Sequence, residues 1–193
     1  MIQFFALSVV VFYLANNAQA QLDGEKGCAS EEITRESLNK PCEMNSGYVD
    51  VELDKALTFT CGEWKSLQEV SSQKKPKIAF KQADKEKKYT LLMLDPNAPN
   101  HGDKYWLHWL VTGIQGEDLA AGNLDNAKTV TDYFPPKPPA GSGDHHYQFF
   151  LFTESSSPVS VSSPSRARFD AVNFVRLHNL CGPAAATQFI TGH

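Results

Sequence analysis

The sequence lacks an excess of positive charge. Against 18 Lys and Arg it carries 22 Asp and Glu, a formal net charge of −4, which argues against nucleic acid as the main partner. The lysines at 74, 75, 77, 81, 85, 87 and 88 do cluster, and they read as a solvated loop and strand edge. No apolar run after residue 14 is long enough to span a bilayer, so no transmembrane anchoring is expected. None of the four cysteines forms a Cys-x-x-Cys pair, which counts against zinc-ribbon and thioredoxin-type chemistry. There is no His-Glu-x-x-His, no Gly-x-Ser-x-Gly, no Asn-x-Ser/Thr sequon and no internal repeat. Ready-made signatures of a metalloprotease, a serine hydrolase and an N-glycosylated surface are therefore missing.

What is present begins with a targeting segment. Residues 2–14 are nearly all apolar, and Ala18-Gln19-Ala20 has the small-x-small cleavage pattern. Residues 1–20 read as a signal peptide with a mature start near Gln21, which places the product outside the cell or in the lumen of the secretory and endolysosomal pathway. Cys28, Cys42, Cys61 and Cys181 all follow the signal, and an even number in an oxidising compartment suggests two disulfides of unspecified pairing. If all four pair, one bridge lies wholly within the N-terminal third. Residues 21–47 form a polar, cysteine-containing segment, and 48–193 form the globular domain.

Alternation and apolar runs predict strands at 48–53, 57–61, 77–80, 89–95, 106–114 and 145–153, with a last one near 188–190. Residues 31–38 suggest a short helix, 115–118 a turn, and 119–132 loop with a little strand. In the Ser/Pro-rich stretch 154–165, Ser163 is a candidate N-cap with Pro164 at the first helical position. Ala167, Ala171, Phe174, Val175 and His178 then follow helical spacing until Gly182-Pro183. The expected fold is mostly β and antiparallel, with one or two peripheral helices near the C-terminus. Residues 134–143 are Pro/Gly-rich and read as a stiff loop over a pocket.

The chemistry gathers around Leu92-Met93-Leu94-Asp95-Pro96, where a buried run ends in an acid and a proline. Strand parity puts His108 on one face with Trp106 and Leu110, and His145 with Tyr147, leaving His146 on the surface. Neighbouring strands would let Asp95, His108, His145 and Tyr147 line one concavity. A lone strand histidine is more often structural than functional, and a strand-end acid with a Gly/Pro-rich loop beside it brings the two readings to about even. Zinc ligation by Asp95, His108 and His145, and an anion pocket built from imidazole, phenol and loop N–H donors, both use these residues. The anion pocket demands the least special geometry.

Asp95-Pro96-Asn97-Ala98-Pro99, Trp106-Leu107-His108-Trp109 and Gly141-Ser142-Gly143-Asp144-His145-His146-Tyr147 resemble the phosphatidylethanolamine-binding protein family, whose forms are Asp-Pro-Asp-Ala-Pro, Trp-x-His and Gly-x-Gly-x-His-Arg-Tyr. The resemblance implies a large antiparallel sheet packed on a smaller one, with a small anion cavity holding Asp95, Pro96, Trp106, His108, Pro138, Pro139, His145 and Tyr147. It implies binding of the phosphatidylethanolamine headgroup or another phosphate-like anion, with no cofactor and no enzymatic activity, and possible modulation of signalling. His108 and His145 would donate to the anion, Tyr147 would add an O–H, and Asp95 would orient an imidazole or meet an ammonium. On that reading anion binding tightens as pH falls toward about 6. Asn97 stands in place of the second acid, His146 in place of arginine, and Pro135-Pro136-Lys137 in place of a Gly-x-Gly stretch. The alternatives are a serine protease inhibitor acting through loop 134–143 and a metal-dependent hydrolase using the same histidines.

Overall fold

A computed structural model describes residues 33–193. The signal segment, the expected mature start and Cys28 lie outside that range. The strands are β1 (Gly47–Tyr48), β2 (Asp50–Glu52), β3 (Glu63–Trp64), β4 (Lys77–Ala79), β5 (Lys88–Asp95), β6 (Trp106–Gln115), β7 (Lys128–Thr131), β8 (His145–Thr153) and β9 (Cys181–Thr191). The helices are α1 (Arg35–Leu38), α2 (Leu67–Val70), α3 (Gly116–Ala121) and α4 (Ala171–Leu177). A large sheet runs in the order β1-β9-β8-β5-β6-β7, with β3 also on β9; β2 and β4 form a second, two-stranded sheet. The long strands pair antiparallel, while the two-residue β1 and β3 add in parallel to β9.

Both faces of the large sheet are covered, which explains why β5 reads as an unbroken apolar run rather than an alternation. Tyr89, Leu91, Met93, Tyr147, Phe149 and Leu151 pack toward the small sheet with Val51, Ile78 and Phe80. Leu92, Leu94, Phe150 and Phe152 pack the other way, against Phe169, Phe174 and Val175 of the α4 region. Pro96 ends β5, and Asp95 is therefore the last paired residue of a central strand.

Several sequence expectations are corrected here. The 48–53 run splits at Val49, so β1 joins the large sheet and β2 the small one. Residues 57–61 form no strand: Cys61 is tied to Cys42 by a disulfide, Gly62 turns at φ 82°, and pairing begins at Glu63. The turn expected at 115–118 is the start of α3, whose C-cap Gly122 takes φ 74°. The late helix starts at Ala171, capped by Asp170 through Asn173 N–H at 3.0 Å, rather than after Ser163. Residues before it are drawn into the sheet edge instead: Leu107 N–H donates to Arg166 O, and Tyr105 and Phe169 exchange two backbone bonds. The helix ends at Leu177, so Gly182-Pro183 does not stop it; both belong to β9, which is far longer than the expected 188–190.

The Cys42–Cys61 bridge lies within the N-terminal third, and Cys181 is also disulfide-bonded. No helix among the described residues is long and apolar enough to cross a membrane.

Candidate functional site

The site sits where β5, β6 and β8 present their ends beneath the Pro-rich loop. Asp95 and His145 are both almost fully buried, and His145 Nδ1 lies 2.7 Å from Asp95 Oδ2. Asp95 Oδ1 accepts the Asn97 backbone N–H at 2.7 Å. The carboxylate is thus held by the turn that Pro96 begins, and both its oxygens have protein partners. Of the two roles considered for Asp95, orienting an imidazole is the one its geometry performs.

His108 arrives by a different device. Met93 opposes Trp109 while Leu94 opposes Leu107, so His108 is the extra residue of a β-bulge. The bulge breaks strict alternation. His108 meets Tyr147, which packs on the same side as Trp109, whereas Leu110 packs on the opposite side. The His108 ring meets Tyr147 edge-on at 5.1 Å, and Tyr147 lies 6.4 Å from the His145 ring. Asp95, His108, His145 and Tyr147 therefore lie together as one group of neighbouring side chains.

The electrostatics reverse one expectation. Burial pushes the His108 pKa down to about 4, and the Phe134 carbonyl and the Asp95 charge offset this only in part. Its Nδ1 is 2.7 Å from Phe134 O, and a carbonyl can only accept, so Nδ1 carries the proton. At neutral pH His108 thus offers a lone pair on Nε2 and is not an N–H donor to an anion. Burial also raises the Tyr147 pKa, keeping the phenol protonated.

The loop supplies what sequence reasoning missed. Ser142 Oγ is 2.8 Å from His145 Nε2 and 2.6 Å from Pro139 O. Arg166 donates to the carbonyls of His108 (2.9 Å), Leu107 (3.1 Å) and Asp132 (2.7 Å), with its guanidinium 5.6 Å from the Phe134 ring centre. Phe134 N–H donates to His108 O at 2.9 Å, so strand and loop are clamped together at His108. Only the glycines around Ser142 signalled its placement. Nothing local could signal Arg166, which lies 58 residues from His108. His146 is half-buried rather than a surface imidazole: its N–H and Nδ1 both bond Asn97 Oδ1, at 3.0 and 2.9 Å. The amide at 97 thus stitches the turn after β5 to β8.

Among the other expected residues, Pro138 is buried, Pro96 and Trp106 are half-buried and Pro139 is exposed on the rim. Pro135 and Pro136 are buried and Lys137 is exposed. Among the described residues no group of three or more His, Cys, Asp or Glu is placed to hold a metal ion. Both nitrogens of His145 already have partners. A cleft of about 540 Å³ lies elsewhere, against β2 and β4, and shares no residue with this site.

Residues 49–193 match the family model described as phosphatidylethanolamine-binding protein. The chain belongs to this family. The putative odorant-binding protein A5 of Drosophila melanogaster is 31% identical over 117 residues, which cover 55% of this chain; the match spans 53% of that relative, about half its length. Among solved structures, a carboxypeptidase Y inhibitor complexed with its cognate proteinase aligns over 98% of this chain and 97% of its own (TM-score 0.63, 17% identity). A phosphatidylethanolamine-binding protein from Plasmodium vivax aligns over 83% of this chain and 97% of its own (TM-score 0.60, 21% identity). At those identities the structures establish the phosphatidylethanolamine-binding-protein fold, a large sheet on a small one with few helices.

Proposed function

We propose that this member of the phosphatidylethanolamine-binding protein family is a secreted or lumenal, non-enzymatic module that takes a phosphate-bearing headgroup or similar small anion in the cleft at Asp95. The observation that carries the reading is the convergence of His145, anchored on Asp95, with His108 and Tyr147 at the strand ends beside the loop. Donors for the anion come from the Tyr147 hydroxyl, kept protonated by burial, and from Lys137, while His145 is held by Asp95 and Ser142. His108, an acceptor at neutral pH, meets a donor on the ligand such as an ammonium or a P–OH. Pro96, Trp106, Pro138 and Pro139 shape the rim. The signal-like residues 1–20 and the Cys42–Cys61 bridge favour the oxidising secretory route. The signal, the cysteines and runs such as Trp109-Leu110-Val111-Thr112 support a resemblance to the secreted vertebrate branch, phosphatidylethanolamine-binding protein 4.

Native mass spectrometry of the purified protein, titrated with phosphoethanolamine, tests the pocket. One-to-one binding lost in the His108→Ala, His145→Ala double variant supports it; a wild type that binds nothing at millimolar phosphoethanolamine overturns it. A second reading has its own support: one structural relative is a proteinase inhibitor in complex, and Phe134 on the loop is 37% exposed. Inhibition of a serine protease that disappears when 134–143 is shortened, yet survives His108→Ala, would favour that reading.

A further inference from the structure

Three side chains in this cleft stand in an order that anion binding does not require. Asp95 Oδ2 is 2.7 Å from His145 Nδ1, and His145 Nε2 is 2.8 Å from Ser142 Oγ. Carboxylate, imidazole and hydroxyl lie in the sequence and at the separations that activate a serine nucleophile. The acid and the base are almost fully buried, and the serine is half-buried. Its flanking glycines, Gly141 and Gly143, take φ of 77° and 82°, and a Cβ at either would meet nothing within 4 Å. The loop is therefore open on both sides of the serine, while its base is shielded. No Gly-x-Ser-x-Gly elbow is needed, because the arrangement is defined by geometry and roles.

We propose that Ser142 is a nucleophile, activated by His145 and Asp95, that is acylated by a small neutral carboxylic ester. With Nδ1–H on Asp95, Nε2 of neutral His145 is an acceptor. The hydroxyl proton, donated to Pro139 O at 2.6 Å in the resting loop, turns to Nε2 and passes to it as Oγ attacks the ester carbonyl carbon. The tetrahedral adduct collapses, the C–O bond to the alcohol breaks, and the leaving oxygen takes the proton from Nε2. The products are acyl-Ser142 and the free alcohol, with no redox change. The proposal does not depend on headgroup binding, and either can fail alone.

The test is labelling of the purified full chain with an alkyl fluorophosphonate, read by intact mass and peptide mapping. In that reaction the P–F bond breaks, Oγ–P forms, and the proton leaves through Nε2. A single adduct on Ser142, absent from Ser142→Ala and slowed about 100-fold or more in His145→Gln, is expected. No adduct, or an adduct elsewhere, overturns the proposal. Because His145→Gln could unfold the buried pair, Ser142→Cys gives an independent readout: its alkylation rate by iodoacetamide against pH. The groups around that thiol are Asp95, His145, Asp144, His146, His108 and Tyr147. An activated thiol shows a midpoint below about 7, against about 8.5 for an ordinary cysteine. A midpoint at the ordinary value means that His145 does not act as a base toward position 142, and sinks the idea.

Discussion

The floor of the cleft and its rim are built on different principles. The floor consists of strand ends, and its residues are placed by sheet register: Asp95 opposes Trp106, and His145 and Tyr147 oppose Thr191 and Phe189. Moving any of them means moving a strand that is buried on both faces. The rim, 134–143, has no regular structure and is held by discrete bonds at its two ends, Phe134 with His108 and Ser142 with His145. The floor's chemistry is therefore fixed by the whole domain, while the rim's depends on a few side chains. Substitutions should divide accordingly, with large stability costs in the floor and small ones in the rim.

The sharpest break of that contrast is Asp95→Ala. It strands the His145 Nδ1–H in a buried site, and chemical denaturation should show a loss of about 3–5 kcal/mol. A loss below 1 kcal/mol would mean the floor is as loosely held as the rim. Next comes pH. His108 titrates near 4 when folded and near 6.5 when unfolded, so the unfolded chain binds the extra proton. Its contribution is fully present above about pH 6.5 and declines as pH falls toward 4, by on the order of 3 kcal/mol. Urea unfolding at pH 7.5 and 4.5 measures this, and His108→Gln should flatten the difference. A profile in which His108→Gln changes nothing would mean that His108 is not buried neutral.

Arg166→Ala removes the bonds to three carbonyls that join strand to rim, and should cost about 2 kcal/mol. It should also shift the His108 ring resonances in NMR, since the clamp sets that ring; unchanged resonances would separate Arg166 from the site. Smallest is Gly141→Ala, in open space but at φ 77°, with an expected cost of about 1 kcal/mol from backbone conformation alone. A much larger loss there would show the rim to be structural.

Much of the architecture was legible because hydrophobic runs and prolines act locally. β5, β6 and β8 follow from their apolar runs, and the end of β5 at Asp95 follows from Pro96. Elements set by distant partners were not legible. β9 extends well beyond 188–190 because its start pairs with the end of β8, Cys181 opposite Thr153. The stretch before α4 stays extended because Tyr105 and Leu107 use its backbone groups. At the site, parity put Leu110 on the face of His108, because it could not foresee the bulge that brings Trp109 to that face instead. The charge state of His108 was misjudged for a related reason. Burial decides it, and burial is a property of the packed domain.

What the sequence determined by itself is a family, an ordered set of strands and the residues Asp95, His108, His145 and Tyr147 as one group. Short-range rules suffice for these, since side-chain alternation and proline's missing N–H act within a few residues. Only the tertiary structure decided which proton each imidazole carries, that Ser142 closes a chain of hydrogen bonds from Asp95, and that Arg166 fixes His108. Those depend on desolvation and on contacts between segments as many as 58 residues apart, which no local pattern encodes.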